Sequence, residues 1–192
     1  MQSASNGGTI LSGESAPLER VEPKQFRETF HAAKAAVAKE HPERAWRVDA
    51  SYSEEDYADA ECYTTKGGSS IAVHNGDIIS VCHHPDDPVR GSELLQAAVA
   101  KGGNKLDAYG GLYGFYIKNG FEPVSWCEWD GEYAPPDWKP EYKAEPVIFF
   151  KHTGRSYDEI VAGCGKNYSE FTERVKAAPD YGAAQKARDD SM

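Results

Sequence analysis

Cys82, His83 and His84 stand side by side after a β-rich run, and thiolate with imidazole is the ligand chemistry of zinc. Adjacent residues seldom reach one ion, and no second Cys or His pair follows at usable spacing, so no metal is expected. Cys82 as a nucleophile would need a base and an orienting acid that spacing alone does not supply. A lone strand cysteine is by default a small apolar packing group. The two histidines end the strand, where successive side chains face opposite sides, so at most one points inward. A few residues on, Val89, Arg90, Gly91 and Ser92 lie where a loop enters a helix. The first turn of a helix leaves N–H groups unpaired at the positive end of its dipole, a chemistry suited to phosphate. Gly91 permits close backbone approach, and the Arg90 guanidinium can add a charge-assisted bond. Asp86 and Asp87 bring negative charge to the same loop. The alternative is a plain helix start, with Asp87 as cap and Pro88 at the first position.

Tyr116, in GLYGFYIKNGF, shares helical spacing with Leu112 and Phe115, the pattern of an interior aromatic. The insertion CEWDGEYAPPDWKPEYKAEP carries Trp129, Tyr133, Trp138 and Tyr142 among prolines and acids. Either these rings form a lid or a partner-binding surface, or they fold back to cover the sheet. If the insertion lines a site, Asp130, Glu132, Asp137 and Glu141 favour a cationic ligand.

The elements that must hold these groups can be read from periodicity. PKQFRETFHAAKAAVAKE places Phe26, Phe30, Ala33 and Val37 at steps of three and four behind a first-turn proline, which predicts one amphipathic helix. AWRVDASY alternates Trp46, Val48 and Ala50 against Arg47 and Asp49 as a half-buried strand does. The acidic SEEDYADA after it reads as a short surface helix or loop. SSIAVHNGDIISVCHH is a hairpin, because Asn75-Gly76 can hold positive φ at both turn positions; CYTT before it is a third strand. Leu94, Leu95, Ala98 and Val99 make one face of the next helix, stopped by Gly102-Gly103. KLDAY is a strand, GLYGFYIKNG a short helix, and FEPVSWCEW and EPVIFFKHT two further strands. The predicted class is α/β of the α+β kind: a mixed, mostly antiparallel central sheet flanked by helices. Residues 1–20, rich in Ser and Gly, read as a disordered tail. A domain spans 21–153. Residues 154–192 read as a helical extension with Ile160, Tyr168, Phe171 and Val175 available to pack and a frayed end.

At 192 residues with a formal charge of -10, the chain suits one domain and repels a phosphate backbone, so nucleic acid is not expected as its ligand. No apolar run approaches the roughly 18 residues of a membrane span, and no secretory signal opens the chain. Four cysteines lie far apart, as suits a reducing, cytoplasmic setting.

This element order, with its local motifs, resembles the GNAT N-acetyltransferase superfamily over about residues 70–153. The family writes its fourth strand and following loop V-x-P-x-x-[RQ]-x-x-G-x-[GA]. VCHHPDDPVRGSELL lies on it without a gap, with Val81 at the Val position, Gly91 at the last Gly and Leu94-Leu95 as the apolar pair. Asp86 stands where the family has Arg or Gln, Val89 replaces the first Gly, and His83 takes the Pro position. The family's Y-x-x-x-G-F is Tyr116-Ile-Lys-Asn-Gly120-Phe121 here. The strand pair after it matches the family's closing strands.

The resemblance implies an acyl-CoA-dependent N-acyltransferase, with acetyl-CoA the expected co-substrate, in which an amine attacks a thioester held across splayed fourth and fifth strands. Val81, Cys82, Val89, Arg90, Gly91 and Ser92 would then contact the co-substrate, and Tyr116 would protonate the departing thiolate. His83 would accept the amine proton, with Asp107 and Glu128 as carboxylate alternatives. The acceptor is an amine, on a small molecule or a protein; a polyamine, an aminoglycoside or a lysine side chain fits the acids of the insertion. The alternative is a catalytically inactive binding or interaction protein on the same fold, of phage or mobile-element origin, taking a protein partner through residues 127–146.

Overall fold

The computed structural model describes residues 17–192. The expected tail is outside those residues up to position 16, but its end is ordered: β1 (Glu19–Arg20) pairs antiparallel with Tyr63 and Thr64. Helix α1 (Pro23–Glu40) starts on its proline and buries Phe26, Phe30 and Ala33. Each fully buried Phe contributes about 1.5–3 kcal/mol. A single turn, α2 (Pro42–Ala45), follows.

The strand expected for AWRVDASY, residues 45–52, does not form. Its alternation is real, but side chains satisfy its backbone in place of a ladder: Lys34 donates to the Val48 carbonyl at 2.6 Å, and Arg27 to that of Tyr52 at 3.0 Å. Trp46 is buried against the rings of Tyr109 and Trp129. The acidic segment becomes a 3₁₀ turn at Glu55–Tyr57.

The sheet continues with β2 (Glu61–Thr64), β3 (Ser70–His74) and β4 (Asp77–Cys82). The β3–β4 turn holds Asn75 at φ 49° and Gly76 at φ 82°, as that dipeptide requires. Next come α3 (Gly91–Ala100), β5 (Lys105–Tyr109), the short α4 (Tyr113–Ile117), β6 (Phe121–Cys127) and β7 (Val147–His152). Where a single frayed helix was expected, the C-terminal region forms α5 (Tyr157–Cys164), α6 (Tyr168–Arg174) and α7 (Tyr181–Asp190). Gly165, at φ 102°, breaks the first from the second. Asn167 and Asp180 cap the second and third through their side chains.

The seven strands run in the order β1-β2-β3-β4-β5-β7-β6, antiparallel except for the β4–β5 pair. One face carries the larger core: Ile71, Val73, Ile78, Leu106 and Phe150 meet Leu94, Leu95, Ile117, Ile160 and Phe171 from α3 to α6. The opposite face is covered in two parts. Helix α1 packs on Cys62, Ala72 and Cys82, and α7 sets Ala184 against Cys127 and Phe149. The period-two alternation of strands sorts these side chains between the faces. Among the described residues no helix is long and apolar enough to cross a membrane.

β4 and β5 share only the Asp77↔Lys105 register pair. Beyond it they separate. Ser80, at φ 53°, sits where the β3–β4 register shifts, and such a bulge bends a strand and raises its local twist. Two contacts hold it: the Ser70 hydroxyl donates to the Ser80 carbonyl at 3.2 Å, and the Ser80 and Tyr57 hydroxyls lie 2.6 Å apart.

Candidate functional site

The separation of β4 and β5 opens a cavity of about 1130 Å³. Ser80 and Val81 form its β4 edge and Asp107 and Tyr109 its β5 edge, while Leu112 and Tyr116 close one end. The walls come from three loops remote in sequence: Arg47–Tyr52, Glu128–Tyr133 and Ala177–Gly182. The last of these is tied to the sheet, since the Ala178 N–H donates to the Trp126 carbonyl at 2.8 Å.

Tyr116 is buried against Phe115, Phe121 and Phe150 on the face of α3 and α4. The residue also lines the cavity. Burial, with the charge of Asp107 added to it, pushes this phenol above its ordinary range, so it is protonated at neutral pH. Asp107 pairs in register with Phe149 and therefore faces the other side of the sheet, toward α7. Its carboxyl is pushed up to about 6 by burial first and then by Asp77, while a hydrogen bond from Tyr181 and the charge of Arg188 act in the opposite sense. The gap thus has a protonated phenol on one face and, on the other, a carboxyl raised to about 6.

The histidines lie elsewhere. His83 donates through Nε2 to the Val89 carbonyl at 2.5 Å, bracing its loop, and is not on the cavity wall. His84 borders a separate hollow of about 390 Å³ beside α1, with Glu28, Lys66 and Gly68. Of the residues expected as candidate bases, His83 lies off the cavity wall, whereas the carboxylate alternatives Asp107 and Glu128 both line it. Cys82 is also displaced from the site. Alternation turns it into the α1 core, where burial pushes its thiol up to about 12.

The loop before α3 differs from a plain capped start. Asp87 does not cap the helix; Arg90 occupies that position. Asp87 is buried, accepts from the Thr65 hydroxyl and takes the Val89 N–H at 2.9 Å. Burial opposes its ionisation, but bonds from Ser69, Thr65 and Val89 outweigh it and hold the carboxyl below its ordinary range. The Arg90 N–H goes to Glu93 Oε2 at 2.9 Å, and its guanidinium to Glu93 Oε1 at 3.2 Å. Of the backbone donors expected to meet phosphate, those of Gly91 and Ser92 stay available at the helix start.

The aromatic insertion divides its work. Trp129 packs back on Trp46, Tyr109 and Trp138, whereas Tyr133 is 76 % exposed at the cavity edge. Of its acids, Asp130 reaches the wall, and Asp137 pairs with Lys34 at 3.2 Å. At the end of the insertion, buried Glu145 clamps Arg47 at 2.5 Å and accepts the Gly111 N–H at 3.0 Å. Sequence reading missed Asp49, Tyr52, Tyr109, Asp180 and Tyr181. For the last two a signal existed: an Asp followed by an Ala-rich stretch is a helix start. No protein-family model matches the chain, and neither a curated protein nor a solved structure does.

Proposed function

We propose that the chain is an acyl-CoA-dependent N-acyltransferase of the GNAT type, with acetyl-CoA the first co-substrate to test. The observation that carries this is the divergence of β4 and β5 beyond Asp77↔Lys105, which opens a cavity with Tyr116 and Asp107 on opposite faces of the sheet. A slot between strands suits a slender pantetheine arm. The N–H groups of Gly91 and Ser92 at the start of α3 would meet its phosphates, and Val81 would line the arm's path.

Acyl-CoA supplies an activated carbonyl bound to a thiolate leaving group. Asp107 would take a proton from the incoming ammonium, freeing the nitrogen lone pair to attack that carbonyl. Tyr116, protonated at neutral pH, would give its proton to the departing sulfur as the carbon–sulfur bond breaks. The products are an amide and a thiol. A cytoplasmic setting belongs to the same proposal, and the four cysteines stand as free thiols.

One observation favours a binding protein on the same fold: the Val89 and Arg90 N–H groups and the Arg90 guanidinium already have internal partners. Thermal unfolding separates the two readings. Acetyl-CoA at about 100 times its Kd adds about 2.7 kcal/mol, a rise in Tm of roughly 5–10 °C for a domain this size. No rise with millimolar acetyl-CoA or longer acyl-CoA would leave the binding reading standing.

A further inference from the structure

We infer that the acceptor is a small oligocation, a flexible amine with a second cationic nitrogen several bonds from the reacting one. The inference rests on the transferase reading for its chemistry; the charge and shape of the cavity supply its content. Asp49, Asp107, Glu128, Asp130 and Asp180 line the cavity. None of them shares an ion pair with a basic side chain among the described residues. The basic group on the same wall, Arg47, is already neutralised by Glu145 at 2.5 Å. A cavity so lined holds unbalanced negative charge, and a cationic ligand would relieve it.

The carboxylates stand at two levels. Asp107 is partly buried at the gap, while Asp49, Glu128, Asp130 and Asp180 are exposed around the rim. A monocation would satisfy the inner carboxylate and leave the rim unused. A second ammonium on a flexible chain reaches the rim while the first sits at Asp107. The walls between the levels include Tyr52, Tyr109 and Tyr181, whose ring faces attract cations and cover methylenes. Three loops enclose the space, which suits a free small molecule better than a side chain on a folded protein.

The test uses the full chain with acetyl-CoA and follows thiol release with spermidine, 1,4-diaminobutane and butylamine at equal ionic strength. Calorimetric titration of spermidine without acetyl-CoA gives a second readout. Asp130→Asn with Asp180→Asn removes rim charge while preserving the helix caps, because Asn caps as well as Asp. The diamine and spermidine should exceed butylamine in kcat/KM by about tenfold at low salt, from attraction at two sites in place of one. The paired variant should cut that ratio several-fold, and about 0.5 M salt should erode it. Equal kcat/KM for butylamine and the diamine would overturn the oligocation inference and leave the transferase reading intact. Spermidine binding that the paired variant abolishes, with no turnover of any amine, would uphold the oligocation site and sink the transferase. Neither heat nor turnover would overturn both.

Discussion

Tyr116 and Asp107 reach the same gap from opposite faces. Tyr116 was legible in the sequence as a residue, though its helical spacing said core as strongly as it said acid. The ring is packed in the core, and the same residue lines the cavity. Tyr116→Phe should leave folding almost unchanged and lower kcat about 10²-fold, measured by thiol release. Asp107→Asn should lower kcat by about 10²–10⁴-fold. With its carboxyl at about 6, the proposed role for Asp107 makes wild-type activity rise with pH through that value as the carboxyl loses its proton, then level off. Stability runs the other way. A carboxyl raised above its unfolded value binds its proton more tightly in the folded state, so its contribution to stability falls as pH rises from about 4 through 6. At pH 8, Asp107→Asn should therefore raise stability by about 1–2 kcal/mol, after allowance for partial exposure. A drop in Tm for that variant would show that Asp107 serves the fold instead. His83 could not be excluded from the site by sequence, because strand alternation allows one of two neighbours inward and does not say which.

At the scale of elements, the β3–β4 hairpin, α3 and β5 lie where local patterns put them, and α3 starts at Gly91, among the expected phosphate donors. What local patterns could not give was the fate of the loop's amides. Asp87 and Glu93 were visible residues, but a cap at position 87 and a buried brace at position 87 look alike until Thr65 arrives from the turn after β2. Gly91 offers a discriminating change. A Cβ there would meet only the Phe115 ring at 3.6 Å, an ordinary contact, and alanine favours the helix it would join. Gly91→Ala should leave the urea midpoint within error or slightly raised. If phosphate approaches that backbone, acetyl-CoA affinity should fall about tenfold, a loss of roughly 1.4 kcal/mol. Unchanged affinity, measured by titration calorimetry, would place the phosphates elsewhere.

For the whole molecule, the C-terminal segment decides whether the cavity has a wall. Helix α7 docks through Arg188, which is fully buried. Its Nε donates to Asp189 at 3.0 Å, its Nη1 lies 3.9 Å from Asp77, and its guanidinium stands 5.5 Å from the centre of the Phe149 ring. Ser125 donates to the Ala184 carbonyl at 2.6 Å. Burial raises the Asp77 carboxyl, and Arg188 and Lys105 oppose that rise. Arg188→Ala should cost about 2–4 kcal/mol in urea unfolding, because it removes a packed side chain and takes this cation from the half-buried Asp77. A loss below 1 kcal/mol would mean that α7 is held chiefly by its apolar contacts.

The sequence by itself determined the class of fold, the hairpin, most strands, the first and third helices and the short helix that carries Tyr116. Each of these rests on interactions within about a dozen residues: apolar periodicity, a positive-φ dipeptide, a glycine stop. Tertiary structure alone decided that AWRVDASY, residues 45–52, is not a strand and that the last residues form a docked helix rather than a frayed end. It also decided that Asp107, not His83, faces the gap, and that Asp49, Asp130 and Asp180 share one wall. The physical reason is common to all of these. A strand needs a free neighbouring edge, a short helix needs a surface to bury against, and a carboxylate acquires its proton affinity from groups brought beside it by remote parts of the chain.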